Sequence, residues 1–386
     1  MNSTLRITEE GAGAERVWPV VTAMVGELRR RAPRMLGFPA NLAWDASSAH
    51  SLLSMMINNA GDPSAHDDSG NDAKAFEQAV LSWFTDIAGG DRDTYGYVTA
   101  SGSEGILFGL FVARHRFPRA PVYLSADAHH SVRKAAAVLR METVTVPCRD
   151  DGTMDPAALA RLCHEARTAE GGRSGDGAVV VATIGTVMRG AVDDLPALRD
   201  AGSEAGGVHL HADAALGGLV AAFSRPEPAW NLAHGADSVS VSGHKLLGCP
   251  VPCGIVLTRG RFLPPQPTGQ YLGADDHTLG CSRSGLAAAL LWCRLREMGT
   301  RGLRETVGRC QQTAQYAAEA LAAVGARPER FPGALTVTFD RPGSQTCATW
   351  HLATQGDRAH LVAMPHVTPQ AVDMLCADLG RDIHGR

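Results

Sequence analysis

Lys245 follows His244 directly in the run Ser240-Val241-Ser242-Gly243-His244-Lys245-Leu246-Leu247-Gly248. The residues just before it, Asp237 to Val241, alternate serine with small or apolar residues as a short strand does. The chain then breaks at Gly243 and presents two basic side chains side by side. A lysine just past a strand end, with a histidine and two serines at hand, suits covalent attachment of an aldehyde. Attack needs the neutral amine, and a free lysine keeps its proton up to a pKa of about 10.4. Partial burial near other positive charge lowers that value. Alone, the run reads equally well as a surface lysine in a polar turn, so three further stretches carry the argument.

In Val208-His209-Leu210-His211-Ala212-Asp213-Ala214-Ala215-Leu216-Gly217-Gly218 an apolar-rich strand ends in Asp213, and residues too small to fill space follow. A carboxylate there suits holding the proton on a pyridine nitrogen, the arrangement that turns pyridoxal phosphate into an electron sink. A carboxylate capping a helix is the other reading. Ala215 is small enough for a flat ring to lie against it. In Tyr95-Gly96-Tyr97-Val98-Thr99-Ala100-Ser101-Gly102-Ser103-Glu104-Gly105 a strand runs into a small-residue turn before an apolar helix from Ile106. Free amides at a helix start, with the hydroxyls of Ser101 and Ser103, make an anion cradle. No Gly-Lys-Ser/Thr follows, so this is not a nucleotide-binding P-loop, and it lacks the dinucleotide fingerprint. After the strand-like Val122-Tyr123-Leu124 comes Ser125-Ala126-Asp127-Ala128-His129-His130-Ser131. The His129 imidazole suits stacking on a cofactor ring; a solvated turn opening a helix is the alternative.

These four stretches, in this order, resemble the pyridoxal-phosphate-dependent group II amino acid decarboxylases, and most closely the short histidine and serine decarboxylases of bacteria and plants. The resemblance runs nearly end to end. It takes in Gly37-Phe38-Pro39-Ala40-Asn41, Asn58-Asn59-Ala60-Gly61-Asp62-Pro63 and Trp83-Phe84. It continues through Ile184-Gly185-Thr186, Gly190-Ala191-Val192-Asp193-Asp194 and Gly248-Cys249-Pro250-Val251-Pro252-Cys253-Gly254. Ser282-Arg283-Ser284-Gly285 and Ala359-His360-Leu361-Val362-Ala363-Met364-Pro365-His366-Val367 complete it.

The resemblance implies a fold-type I pyridoxal-phosphate enzyme, with a mostly parallel α/β large domain and a small C-terminal α+β domain. It implies α-decarboxylation of an L-amino acid, histidine first and a small polar amino acid such as serine second. Other reactions on the same bound substrate, decarboxylation with oxidative deamination or aldol-type cleavage, need the same lysine and aspartate; a silent cofactor-binding protein is the remaining alternative. By resemblance Lys245 holds the cofactor, Asp213 faces the ring nitrogen, and His129 and Ala215 cover the two ring faces. Ser101, Gly102, Ser103, Ser242 and His244 bind the phosphate, and Thr186 meets the ring edge. Asn58, Asn59 and Asp62 line the substrate mouth. Tyr271, in a loop that in this group enters the neighbouring subunit's site, is the expected proton donor, with His277 in the same loop as the alternative. The implied assembly is a homodimer or a dimer of dimers with shared sites. The chain departs from the group's pattern at Ala100, Ile106 and Val187. It departs most clearly at Ser64-Ala65-His66-Asp67-Asp68-Ser69-Gly70, where two acids and a histidine replace bulk.

Positioning these residues falls to a run of alternating elements. Helical periodicity covers 73–87, 106–116, 132–140, 156–168 and 195–204. Strand patterns cover 122–124, 143–146, 178–184, 208–212, 238–242 and 254–258. Such alternation predicts a mostly parallel sheet with helices on both faces, its chemistry at strand ends. An amphipathic helix is expected over 16–32, packing on a dimer partner within an N-terminal segment of residues 1–72. The large domain is expected over 73–290 and the small one over 291–386. In the latter, residues 286–324 read as a long helix broken near Gly299, 335–339, 348–353 and 360–364 as strands, and 368–379 as a closing helix. The 386 residues are 45% hydrophobic and 20% charged, an ordinary soluble balance. A net charge of −4 leaves no basic footprint for nucleic acid or anionic membrane. No apolar run approaches the roughly 20 residues of a membrane span, and the N-terminus lacks a signal-peptide pattern. Nine scattered cysteines point to reduced thiols and a cytoplasmic protein. Cys249 and Cys253 lack a second ligand pair at zinc spacing, so no metal is expected.

Overall fold

The computed structural model describes residues 5–65, 70–168, 177–266, 268–269 and 274–384. A seven-stranded sheet organises it. From one edge to the other run β1 (Thr94–Thr99), β7 (Gly254–Arg259), β6 (Ser238–Ser242), β5 (Val208–Asp213), β4 (Ala178–Thr183), β2 (Val122–Ser125) and β3 (Thr143–Val146). β7 alone runs against the rest, pairing antiparallel with β1 and β6, while the β6-β5-β4-β2-β3 pairings are parallel. All six residues of β4 are buried, as expected of a central parallel strand covered on both faces.

β6 reads Ser-Val-Ser-Val-Ser, and its two sets of side chains part to opposite faces. Val239 and Val241 join the main apolar core. Ser238 and Ser240 meet the two buried histidines of β5: His211 Nδ1 lies 2.8 Å from Ser238 Oγ and its Nε2 3.2 Å from Ser240 Oγ, while His209 Nε2 lies 3.1 Å from Ser238 Oγ. The serine hydroxyls thereby give His211 two partners and His209 one, while His209 Nδ1 finds none among the described residues.

The crossover helices are α3 (Gly102–Arg116), α4 (His130–Val138), α5 (Pro156–Thr168), α6 (Leu195–Ser203) and α7 (Gly217–Phe223). α3 begins four residues earlier than the apolar periodicity suggests, which brings Gly102 and Ser103 into its first turn. Before the sheet lie α1 (Ala14–Arg31) and α2 (Lys74–Ile87). α1 ends in Arg29, Arg30 and Arg31, favourable charge for a helix C-terminus, and none of its residues is buried within the chain. A short ribbon, β8 (Thr268–Gly269) with β9 (Ala274–Asp275), leads into α8 (Gly285–Ala323). α8 spans position 290 and is interrupted at Gly299, where φ is +59°.

The C-terminal unit has a three-stranded antiparallel sheet of β10 (Thr336–Asp340), β12 (Arg358–Val362) and β11 (Ala353–Gln355). α9 (Ser344–Thr349) and α10 (Pro369–His384) complete it. Here one expectation fails. Residues 348–353 do not form one strand; α9 occupies 344–349, and β11 begins only after a turn with His351 at φ +46°. Trp350 decides the matter. It is 2% exposed and its indole Nε1 donates to Asp378 of α10 at 2.8 Å, so burial of one large ring overrides local strand pattern.

Candidate active site

The C-terminal ends of β4, β5 and β6 and the start of α3 surround a cavity of about 200 Å³. Asp213 closes β5 and Lys245 follows β6, and both line it. Asp213 is 5% exposed, and its carboxylate accepts only a long bond from the Ala215 N–H, at 3.3 Å, among the described residues. Burial raises its pKa, with the Lys245 charge and the Ala215 N–H opposing. Burial lowers the pKa of Lys245 in turn, with Asp213 opposing. Burial thus favours the neutral, nucleophilic amine, and the Asp213 charge opposes it.

Ser101 caps α3, accepting from Glu104 N–H at 3.2 Å. The Glu104 carboxylate returns to Ala100 N–H at 2.7 Å and accepts from Tyr97 Oη at 3.0 Å, fixing the turn from outside. Gly102 permits the closest approach: a Cβ there would sit 2.4 Å from Ser242 Oγ. Ser242 in turn donates its N–H to Ala215 O at 3.0 Å. His244 Nδ1 lies 2.8 Å from the Cys253 carbonyl. The Cys253 N–H also lies 3.3 Å from Nδ1, so Cys253 holds the ring by its backbone, and burial lowers the pKa of this ring. The start of α3, Ser101, Ser103, Ser242 and His244 all line the cavity, a donor set that suits an anion.

His129 caps α4. Its Nδ1 accepts from Ser131 N–H at 3.3 Å and lies 2.6 Å from Ser131 Oγ. A backbone N–H only donates, so the neutral ring carries its proton on Nε2. Burial, then His130 and Lys245, lowers its pKa to about 4, so the ring is neutral at physiological pH. Ala215 also lines the cavity and offers a small apolar surface.

The structure adds residues that sequence reasoning missed. Thr183, at the end of β4, lines the cavity with a buried Oγ1 that finds no partner among the described residues. Asp193 stands behind it, accepting from Thr183 N–H and Met154 N–H at 2.7 Å each. Burial raises Asp193 to about 6. The signal was present in Val-Asp-Asp after the β4 turn, but only pairing reveals which acid turns inward. Thr186 lies beside the cavity, its Oγ1 accepting from Ala191 N–H at 3.0 Å, while Gly185 and Val187 face inward.

Asn58, Asn59 and Asp62 lie apart from this cavity. Asn59 is fully buried, donating to Glu77 at 2.6 Å and accepting from Ala73 N–H at 2.7 Å. Glu77 also pairs with Arg283, whose Nη2 donates to Gly61 O at 2.8 Å, and Asn58 accepts from Arg283 N–H at 3.1 Å. Asp62 lies 3.7 Å from His277. Tyr271 and residues 66–69 of the acidic loop lie outside the described residues.

A half-buried lysine facing a buried aspartate beneath a histidine, with an anion cradle at one end, is the site of a pyridoxal-phosphate enzyme on a fold-type I sheet. The residues fit that cofactor: the under-partnered Asp213 suits a protonated ring nitrogen, and the orphaned Thr183 hydroxyl offers a further polar contact. The profile of the pyridoxal-dependent decarboxylase conserved domain matches residues 41–329. Serine decarboxylase 3 of Oryza sativa subsp. japonica is 37% identical over 353 residues, 89% of this chain and 77% of that protein. Histidine decarboxylase of Mesorhizobium japonicum is 36% identical over 346 residues, 88% of this chain and 91% of that protein. The fold matches L-methionine decarboxylase from Streptomyces sp. 590 with a TM-score of 0.89 at 24% identity, over 99% of this chain and 97% of that one. The chain belongs to the pyridoxal-dependent decarboxylase family. It is a carboxy-lyase, and its cofactor is pyridoxal phosphate.

Proposed function

We propose that the protein removes the α-carboxyl group of L-histidine, or second of a small polar amino acid such as L-serine, releasing carbon dioxide and the amine. The observation that carries the reading is the Lys245–Asp213 pair buried in one cavity with His129. Relatives named for histidine and serine, at 32–37% identity, support the choice of substrate.

When bound, pyridoxal phosphate supplies a ring that accepts the electron pair left by departing carbon dioxide. Lys245 anchors it and yields to the substrate's amine. Asp213 keeps the ring nitrogen protonated; its scarcity of protein partners leaves the carboxylate for that task. Neutral His129 would pack against the ring without adding a competing positive charge, and Ala215 would leave room for it. Ser101, Gly102, Ser103, Ser242 and His244 hold the phosphate, and Thr186 positions the loop at the ring edge. Tyr271 returns a proton to the α-carbon; a phenol with a pKa near ~10 is neutral and suitable at working pH.

The exposed Val17, Trp18, Met24 and Leu28 on α1 support burial of that helix on a second copy, with sites shared between subunits. Nine cysteines with no disulfide between them among the described residues support a reducing, cytoplasmic setting.

A panel of amino acids offered to the purified holoenzyme, with carbon dioxide, amine, ammonia and peroxide all measured, tests the assignment. Equal amounts of carbon dioxide and histamine are expected from histidine. Ammonia and peroxide rising in step with carbon dioxide would overturn it in favour of oxidative deamination.

A further inference from the structure

On the far side of Gly185 and Leu216 lies a second cavity, about 460 Å³ against about 200 Å³ for the catalytic one. Both residues line both cavities, so a single layer of chain separates them. Val220 and Ala221 of α7 form part of the wall, and Ala334 and Leu335, just before β10, form another; all four are buried. An apolar hole of about 150 Å³ accommodates benzene, so this one has room for roughly ten or more non-hydrogen atoms. The decarboxylation chemistry uses none of this space.

The rim is charged. Arg330, half-buried, donates to Ala334 O at 2.8 Å, Gln315 Oε1 at 2.9 Å and Gln311 O at 3.3 Å. Every one of these acceptors is neutral, and among the described residues no carboxylate pairs with it. A guanidinium has five N–H donors, so two remain. Arg225 also lines the cavity and likewise donates to a neutral acceptor, Ser224 O at 2.7 Å. The third charged group there, Glu227, accepts from Trp230 Nε1 at 3.0 Å. Two guanidiniums against one carboxylate leave the rim positive, and a desolvated cation gains most from an anion with matching oxygens.

We propose that this cavity binds a small carboxylate with an apolar tail, the tail between α7 and Leu335 and the carboxylate on Arg330. Bound there, the ligand touches Gly185 and Leu216 from the side opposite Lys245, outside the space the substrate occupies. The site does not depend on which amino acid is decarboxylated.

Calorimetric titration of the holoenzyme with octanoate, octan-1-ol and octylamine tests the proposal. Octanoate should bind about tenfold more tightly than the alcohol, the gain expected of a charge-assisted bond, with the amine weakest. Arg330→Gln should remove that tenfold and leave the alcohol unchanged. Ala221→Phe, which fills the wall, should abolish binding of both while the cofactor's visible absorbance persists. If that variant folds poorly, Arg330→Gln decides alone. Absence of millimolar binding, equal affinity for the three head groups, or preference for the amine would overturn the proposal. So would octanoate binding indifferent to Arg330→Gln, which would seat the ligand elsewhere, the catalytic cavity included.

Discussion

Gly102→Ala is expected to weaken cofactor binding without destabilising the empty protein. The first atom of a side chain at 102 would stand 2.4 Å from Ser242 Oγ, but 3.7 Å from Ser242 Cβ and 3.8 Å from Ala215 Cβ. A single atom, the hydroxyl oxygen, is therefore about 1 Å inside ordinary contact. The Ser242 backbone cannot retreat, because its N–H is held by Ala215 O and its strand is paired with Gly254. The hydroxyl must rotate away, and one hydrogen bond to the phosphate is lost. Bonds to charged groups contribute about 1.5–3 kcal/mol, so the dissociation constant should rise roughly 10- to 150-fold. Without cofactor the sign differs: alanine is favoured over glycine in a helix by up to about 1 kcal/mol, and position 102 is the first of α3. Titrating dialysed protein with pyridoxal phosphate by visible absorbance gives the affinity, and denaturant unfolding gives the stability. Ser242→Ala should cost the same affinity, and the double variant no more than either single one, because both remove one bond. A double variant whose losses add, or an unaltered affinity in Gly102→Ala, would refute the reasoning.

Asp213→Asn should keep the fold and lose about 10²–10³ in kcat, the usual cost of removing one preorganised charge partner; near-normal turnover would mean the carboxylate is misassigned. Lys245→Ala should lose the cofactor linkage that borohydride traps, and mass spectrometry showing a retained reducible adduct would reject the anchor. Burial holds His209 and His211 neutral, lowering them to about 4 and about 3. Both values lie below the unfolded value of about 6.5, so their stability is intact above that pH. It is lost as pH falls towards 4 and 3, by at most about 1.4 kcal/mol per unit per histidine. His209→Gln should therefore flatten the stability profile between pH 6.5 and 4, and an unchanged slope in denaturant titrations counts against this account. Tyr271→Phe should still release carbon dioxide but divert product from amine to aldehyde; clean amine at the normal rate moves the role to His277.

The site was more legible in the sequence than the scaffold that steadies it. Lys245, Asp213, His129 and the Ser101–Ser103 turn stand at strand ends, where the chemistry demands particular side chains and the sheet alternation is regular. α7 was hidden, because Gly217-Gly218 disfavours a helix locally. Gly217 is nevertheless required there, since a Cβ would lie 2.0 Å from Ile184 O. The strand expected at 348–353 failed for the converse reason, a tryptophan whose burial outweighs its neighbours' pattern. Asn58 and Asn59 show the deeper limit. Sequence marks them as polar residues near a mouth, but hydrogen bonding separates bracing from lining. Asn59, Glu77 and Arg283 form a buried polar knot that ties residues 57–61 to 281–285. Removing one partner of such a buried ion pair typically costs about 3–5 kcal/mol, so the knot cannot be varied freely. Asp62 is held too: Ser64 donates to it at 2.7 Å, and His277 approaches the same carboxylate from the other segment. Asp62 therefore belongs with the bracing hydrogen bonds and not with the lining of the catalytic cavity.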